Sequence, residues 1–349
     1  MLEKISKKLN SLSYIKLVLL ILGILILKFG FSPIGIPYVE WLRETARHFP
    51  TATTYLVSSP APLFFMRIFN YPSAAIWWLW GSLLFVVWIL LTLTMISKRF
   101  PDVQREYSII FLLSTPVACS LSLIGHIDIY TLIGGSLLAL GTSRVTLLCG
   151  AVLGVCGNAD MGLAITLLLA ILAYGKFNHA KVAFGFWAPV SIALYGILHF
   201  LIKLPVNSDP VRVVFLQMKM VSLNSLGSLP LYFYSVLGPI WIIALLIYWP
   251  ILNSKRERIS ALLAMVALPF AMSTLILDGT RMGVTASFVG ILILLQDARF
   301  RVEVKSKFIS GYQGALIMTL VLVPTVVVDQ YGLLRLPIRK LLESAHLIG

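Results

Sequence analysis

Two short strings, Gly125-His126-Ile127-Asp128 and Gly157-Asn158-Ala159-Asp160, set ionisable side chains between long apolar runs. A carboxylate so placed can take a proton as a general base, and the imidazole beside it can relay a proton or hold an anion. A third string, Asp278-Gly279-Thr280-Arg281, puts a guanidinium three residues after a carboxylate. That spacing suits a fork aimed at a phosphate or a sugar carboxylate, with Asp278 orienting Arg281. Each string also has a plainer reading. Asp128 and Asp160 each open a helix, where a carboxylate meets free N–H groups and the positive end of the dipole. Asp278 and Arg281 can close an ion pair within one turn.

Two longer polar segments add candidates. In the segment at 33–71 an amphipathic stretch runs from Tyr38 to Phe49. Its acids Glu40 and Glu44 are one turn apart, as are its bases Arg43 and Arg47. Tyr38, Trp41 and Phe49 suit a membrane interface. The stretch reads as a juxtamembrane helix, with Glu40 or Glu44 as a second candidate base. Further on, Arg67 could hold a phosphate. The segment at 203–228 carries Arg212 and Lys219 on one helical face opposite an apolar stripe, a lid whose cations could grip a lipid pyrophosphate.

The elements that must position these residues follow from composition. Of 349 residues, 59% are hydrophobic and 12% charged, and mean hydropathy is +0.93. A soluble domain cannot hide that much apolar surface, so the expected class is an all-α, polytopic membrane bundle forming a single membrane domain. Apolar runs of helical length lie at about 14–32, 72–97, 107–124, 129–142, 145–157, 161–175, 182–202, 229–249, 259–277, 282–296 and 308–328, giving about eleven spans. The runs at 129–142 and 145–157 reach only ~21 Å at 1.5 Å per residue, short for a bilayer, so they belong among longer helices. The basic start, Met1 to Asn10, precedes an apolar run without a small-residue cleavage site, and reads as a retained first span. Cys119, Cys149 and Cys156 lie in apolar runs and read as core residues.

The net charge of +14 does not point to nucleic acid, because the cations sit in short connections between apolar runs. With the N-terminus in the cytoplasm, sixteen Lys and Arg fall inside and ten outside, and Lys16 and Lys28 in the first run complete the 28. The C-terminus is then outside, and all three Asp-bearing strings share the outer face. The expected location is the inner (plasma) membrane of a bacterium.

No Gly-x-Ser-x-Gly, His-Glu-x-x-His or P-loop motif occurs, and no Cys/His cluster has metal spacing. No cofactor is specified, and a divalent cation is the one the dispersed carboxylates leave open. The arrangement of a first span, a long outer segment with a juxtamembrane helix, a Ser-Pro/Pro-Leu entry to the second span (Ser59 to Leu63) and later hairpins with polar starts resembles the GT-C class of polytopic glycosyltransferases over about the first 200 residues. The resemblance implies transfer of a sugar from a polyprenyl-phosphate donor to a glycan or lipid acceptor on the outer face. Such enzymes usually carry a catalytic Asp in the first outer loop. Here that loop holds only Glu40 and Glu44, so Glu replaces Asp or Asp128 or Asp160 supplies the carboxylate. In this scheme His126, Arg281, Asp278, Arg212, Arg67 and Lys219 would bind substrate. An O-antigen or capsule polymerase is close in chemistry. A proton-coupled transporter or flippase is the competing class, and it would place its charges near the bilayer midplane.

Overall fold

The computed structural model describes residues 2–50, 55–201, 238, 244–275, 279–307, 313–322, 328–329 and 332–333. It is all-α apart from a two-residue antiparallel pairing of Val328–Asp329 with Gly332–Leu333. The helices are α1 (Leu2–Ser11), α2 (Tyr14–Phe29), α3 (Ile36–His48), α4 (Pro60–Ile68), α5 (Ala74–Arg99), α6 (Gln104–Leu112), α7 (Thr115–Ser122), α8 (Asp128–Leu140), α9 (Arg144–Gly157), α10 (Ala159–Tyr174) and α11 (Asn178–Gly196). After the segment at 202–243 come α12 (Lys255–Leu262), α13 (Leu268–Leu275), α14 (Gly279–Leu294), α15 (Ala298–Lys307) and α16 (Gln313–Leu322). Several starts are fixed by a polar cap just before an apolar run. Ser73 accepts from Ile76 N–H, Ser143 from Thr146 N–H and Asn158 from Met161 N–H.

Among the described residues one helix, α5, is long and apolar enough by itself to cross a bilayer. Gly283–Leu294 and Ala298–Lys307 pass that test together but are bent by 91° between them. The run at 107–124, read as one span, is two helices. Pro116 lacks an N–H and restricts Thr115, and the Ser114 hydroxyl donates to Phe111 O at 2.6 Å, so α6 stops and α7 starts anew.

α8 is the centre of the bundle. All its residues except Leu137 are buried. It packs on α9 at backbone distance, because a Cβ at Gly134 would lie 2.3 Å from Gly154 N. Against α5 the Ser136 hydroxyl accepts the Trp88 indole N–H and pairs with the Thr92 hydroxyl, each at 3.0 Å. At the C-terminal end of α8, Arg99 donates to Leu140 O and Gly141 O at 2.8 Å, and His179 donates to Ala139 O at 2.8 Å. Carbonyls left over at a helix end are thereby satisfied. The outer side of α9 carries Val145, Leu148, Cys149 and Val152 exposed, so Cys149 is not the core residue its apolar surroundings implied, whereas Cys119 is buried.

The bundle has two unlike ends. Arg99, the Arg105 contacts to Leu9 O and Leu12 O, Arg256 over the Tyr174 ring, and the Arg299–Glu257 and Arg301–Asp102 pairs belong to one end. The helix starts at Ala74, Asp128 and Ala159 belong to the other, about 39 Å away along α5. At the basic end Arg299 bonds Asp297 (2.7 Å) and Glu257 (3.2 Å), while Glu257 also accepts Asn253 N–H and Ser254 N–H. Burial pushes the Glu257 carboxyl up, but Arg299 and the two N–H groups outweigh it, and its net position is below the ordinary range.

Two outcomes follow for thermal unfolding in a mild detergent. Gly81→Ala puts a Cβ 2.4 Å from Gly125 Cα and should destabilise by about 2 kcal/mol or more, whereas Gly185→Ala, with nothing within 4 Å, should be neutral or stabilising. Equal effects of the two would count against this packing. Because the Glu257 carboxyl is held low, its contribution is present above the ordinary carboxylate value of 4.5 and fades as pH falls through the lower folded value. Glu257→Gln should therefore cost about 1 kcal/mol at pH 7 and progressively less below pH 4.5. A gap that widens in acid would contradict the network.

Candidate functional site

The Gly125–Asp128 turn is pinned from two sides. Gly125 has φ +90°, a left-handed conformation that suits glycine, and its carbonyl accepts the Trp77 indole N–H at 2.9 Å. The extended residues after α2 run alongside it. Ser32 N–H donates to Leu121 O, Ile124 N–H to Ser32 O and Ile34 N–H to Ile124 O, all within 3.0 Å. Trp78 then donates to Ile34 O at 2.9 Å. This fixes α3, whose Val39, Leu42 and Ala46 form a small core with Met66, Trp77 and Ile127. α3 is thus packed onto the turn, and its Tyr38 ring lies 5.0 Å from the His126 ring.

Within the turn, His126 Nδ1 lies 3.4 Å from Asp128 Oδ2 and 3.3 Å from the Asp128 backbone N–H. One nitrogen cannot serve both at once. With the proton on Nε2 it accepts the N–H, and with a proton on Nδ1 it donates to the carboxylate. The imidazole and the carboxylate are thus close neighbours whose contact depends on the tautomer. The other carboxylate oxygen, Asp128 Oδ1, accepts Asn158 Nδ2 at 3.3 Å. Asn158 Oδ1 in turn accepts Met161 N–H at 3.2 Å as the cap of α10, which settles which way its amide faces. Asp128 and Asn158 are 5% and 6% exposed, so this joint between two hairpins is buried. A carboxylate so enclosed needs its partners.

The pair lines a narrow cleft with about 20 Å³ of free space, bordered by Gly81 and Phe85 of α5, Pro116, Cys119 and Ser120 of α7, His126, Asp128 and Leu132, and Val284 and Thr285 of α14. Its walls are mostly apolar, with a carboxylate, an imidazole and hydroxyls among them. The first amides of α8 are occupied by local bonds, Ile129 N–H to His126 O and Tyr130 N–H to Ile127 O. Beside it an aromatic wall stands on α4, with Phe65 stacked on Tyr130 at 5.6 Å and Trp80 donating to the Tyr130 hydroxyl at 2.9 Å.

The other sequence candidates fall in several places. Asp160 is half-buried in the first turn of α10, where Asn158 rather than Asp160 supplies the cap. Glu40 is bound by Arg43 at 2.7 Å and is half exposed; Arg43 also donates to Pro72 O at 2.6 Å. Glu44 is exposed and pairs with His48 at 2.8 Å and Arg47 at 3.6 Å. Arg67 donates to Ala46 O (2.7 Å) and Phe49 O (2.9 Å), clamping the end of α3. Arg281 lies in the first turn of α14, four residues before Thr285. Asp278, Arg212 and Lys219 lie outside the described residues. Among the described residues no group of three or more His, Cys, Asp or Glu could hold a metal ion. The residue that sequence reasoning passed over is Asn158. Its signal was an Asn directly before an apolar run, the cap pattern of a helix start.

Neither family models, curated proteins nor solved structures give a match to this chain.

Replacing Asn158 by Ala removes a helix cap and a donor to a buried carboxylate, and should lower stability by about 2 kcal/mol. The Asn158→Ala/Asp128→Ala double variant should then fall short of the summed single effects by more than ~0.5 kcal/mol in thermal unfolding. Strict additivity would mean that the two side chains do not interact.

Proposed function

We propose that this protein is a polytopic membrane glycosyltransferase of about eleven spans, taking a sugar from a polyprenyl-phosphate donor to a glycan or lipid acceptor on the outer face of a bacterial inner membrane. The observation that carries this reading is Asp128, a buried carboxylate in an apolar-walled cleft, coupled to an imidazole and held by Asn158. Asp128 takes the proton of the acceptor hydroxyl and passes it toward His126. The lipid phosphate leaves, and cations at the cleft mouth stabilise the charge growing on it. Arg281, one turn before the cleft residue Thr285, is the first candidate for that role. Glu40 fits the base less well, since it is already bound to Arg43 and open to water.

The membrane part of the reading draws support from hydropathy, from the short apolar helices α8, α9 and α10 sheltered against others, and from the separation of ends. The cations assigned to the cytoplasm from sequence gather at the end opposite the Asp128 cleft, as the positive-inside rule requires. A carrier would hold charge halfway along the bundle. Midway along α8 the buried polar groups are Ser136, Thr92 and the Trp88 N–H. This favours transfer chemistry at one face over transport through the middle, and a polymerase acting on lipid-linked sugars would use the same site.

Lipids retained by the protein in mild detergent, identified by mass spectrometry, test the reading. Wild type should retain a polyprenyl-phosphate sugar, Asp128→Asn should retain it without turning it over, and Arg281→Ala should lose it. If bulk phospholipid alone is found in all three, the transferase reading fails.

A further inference from the structure

The basic end carries a second cleft that the proposed chemistry does not use. It is an open cleft of about 350 Å³, lined by Asp102, Arg301, Val302, Lys305 and Ser306. α15 forms one wall and runs across the bundle end, turned 91° from α14. Its Phe300 and Val304 are buried, with the Phe300 ring 6.1 Å from Tyr107 and 5.7 Å from Tyr248, so the helix is anchored and its register fixed. Arg301 and Lys305 are one turn apart and share the cleft face.

The cleft lining carries two cations, Arg301 and Lys305, and one acid, Asp102. The guanidiniums of Arg99 and Arg301 flank the Phe100 ring at 5.8 and 5.5 Å and repel one another. Against them stands Asp102, 3.7 Å from Arg301, while Glu303 on the same helix is bound to Lys307 at 3.2 Å. A phosphodiester placed between Arg301 and Lys305 would relieve that excess.

Two features select a lipid over a soluble anion. Val302 is 70% exposed among the cations, as in helices that lie in the headgroup region. Leu79, Leu83, Val86 and Leu90 form an exposed apolar strip along α5, which ends in Lys98 and Arg99 at the same end of the bundle, an apolar surface of the kind acyl chains cover.

We propose that the cleft between α15 and the Phe100–Asp102 turn binds the headgroup of an anionic phospholipid of the cytoplasmic leaflet. The inference rests on the membrane embedding proposed above and is independent of glycosyl transfer.

Native mass spectrometry of the full-length protein in zwitterionic detergent, titrated with dioleoylphosphatidylglycerol or dioleoylphosphatidylcholine, tests it. Phosphatidylglycerol should bind more tightly, by about fivefold for each cation engaged. Arg301→Gln and Lys305→Gln should each weaken it about fivefold, Arg301→Lys should largely retain it, and Asp102→Asn should tighten it, a gain that misfolding cannot mimic. Equal binding of the two lipids, no response to Arg301→Gln, Lys305→Gln or Asp102→Asn, or competition by free glycerol phosphate as effective as by the lipid would overturn the proposal. A protein that stays monodisperse without detergent would refute the embedding itself, whereas one that needs detergent but ignores headgroup charge would refute only this site.

Discussion

Burial of α8 on nearly every face constrains the rest of the molecule. A helix with no route to water must find partners for the polar groups at both its ends from other helices. At its C-terminal end α5 and α11 supply them, as Arg99 and His179 cover three successive carbonyls. At its N-terminal end the first amides close on the preceding turn, and the leftover group is the Asp128 carboxylate, met by His126 and Asn158. The same enclosure that lets Gly134 touch the α9 backbone makes an unbalanced charge at this end expensive.

Three tryptophans of α5 also serve that end. Trp77, Trp78 and Trp80 on successive faces of α5 donate to Gly125 O, Ile34 O and the Tyr130 hydroxyl. Three indole N–H groups thus fix the turn, the segment entering α3, and the first turn of α8 relative to one helix. Each indole fills space and satisfies a polar atom at once, which aliphatic side chains cannot do. The result is a rigid frame around His126 and Asp128, onto which α3 is packed through Tyr38.

Much of the helical layout was legible in the chain. The starts at Asp128, Arg144 and Ala159 fall within three residues of the apolar runs, and at the last two a polar cap, Ser143 or Asn158, precedes the hydrophobic stretch as a local signal. The break at Ser114 was hidden, since hydropathy is blind to the N–H that Pro116 lacks. At the site, the types of His126 and Asp128 drew notice, but their third partner did not. The Asn158–Asp128 bond joins residues 30 apart in the chain. It depends on two hairpins meeting at a particular register, which no local pattern encodes. Arg67 illustrates the same limit from the other side. A lone Arg before an apolar run could face a phosphate or a helix end, and the carbonyls of Ala46 and Phe49 are what it meets.

The likeness of the two Gly-x-x-Asp strings, at Gly125 and Gly157, acquires a physical meaning from this geometry. Gly157 packs its α-carbon against Thr131, where a Cβ would lie 2.7 Å from Thr131 N, so the second string sits directly behind the first. The two Asp residues then diverge in role. The first is enclosed and faces the cleft, and the second remains half-buried while its neighbour Asn158 caps the helix. An Asn in the second string where the first has His126 is what allows this. Its amide can donate to a carboxylate and accept a backbone N–H at once, which a neutral imidazole can do only through nitrogens on opposite sides of its ring. Two similar strings thus make one asymmetric joint, with His126 and Asp128 in the first and the supporting Asn158 in the second.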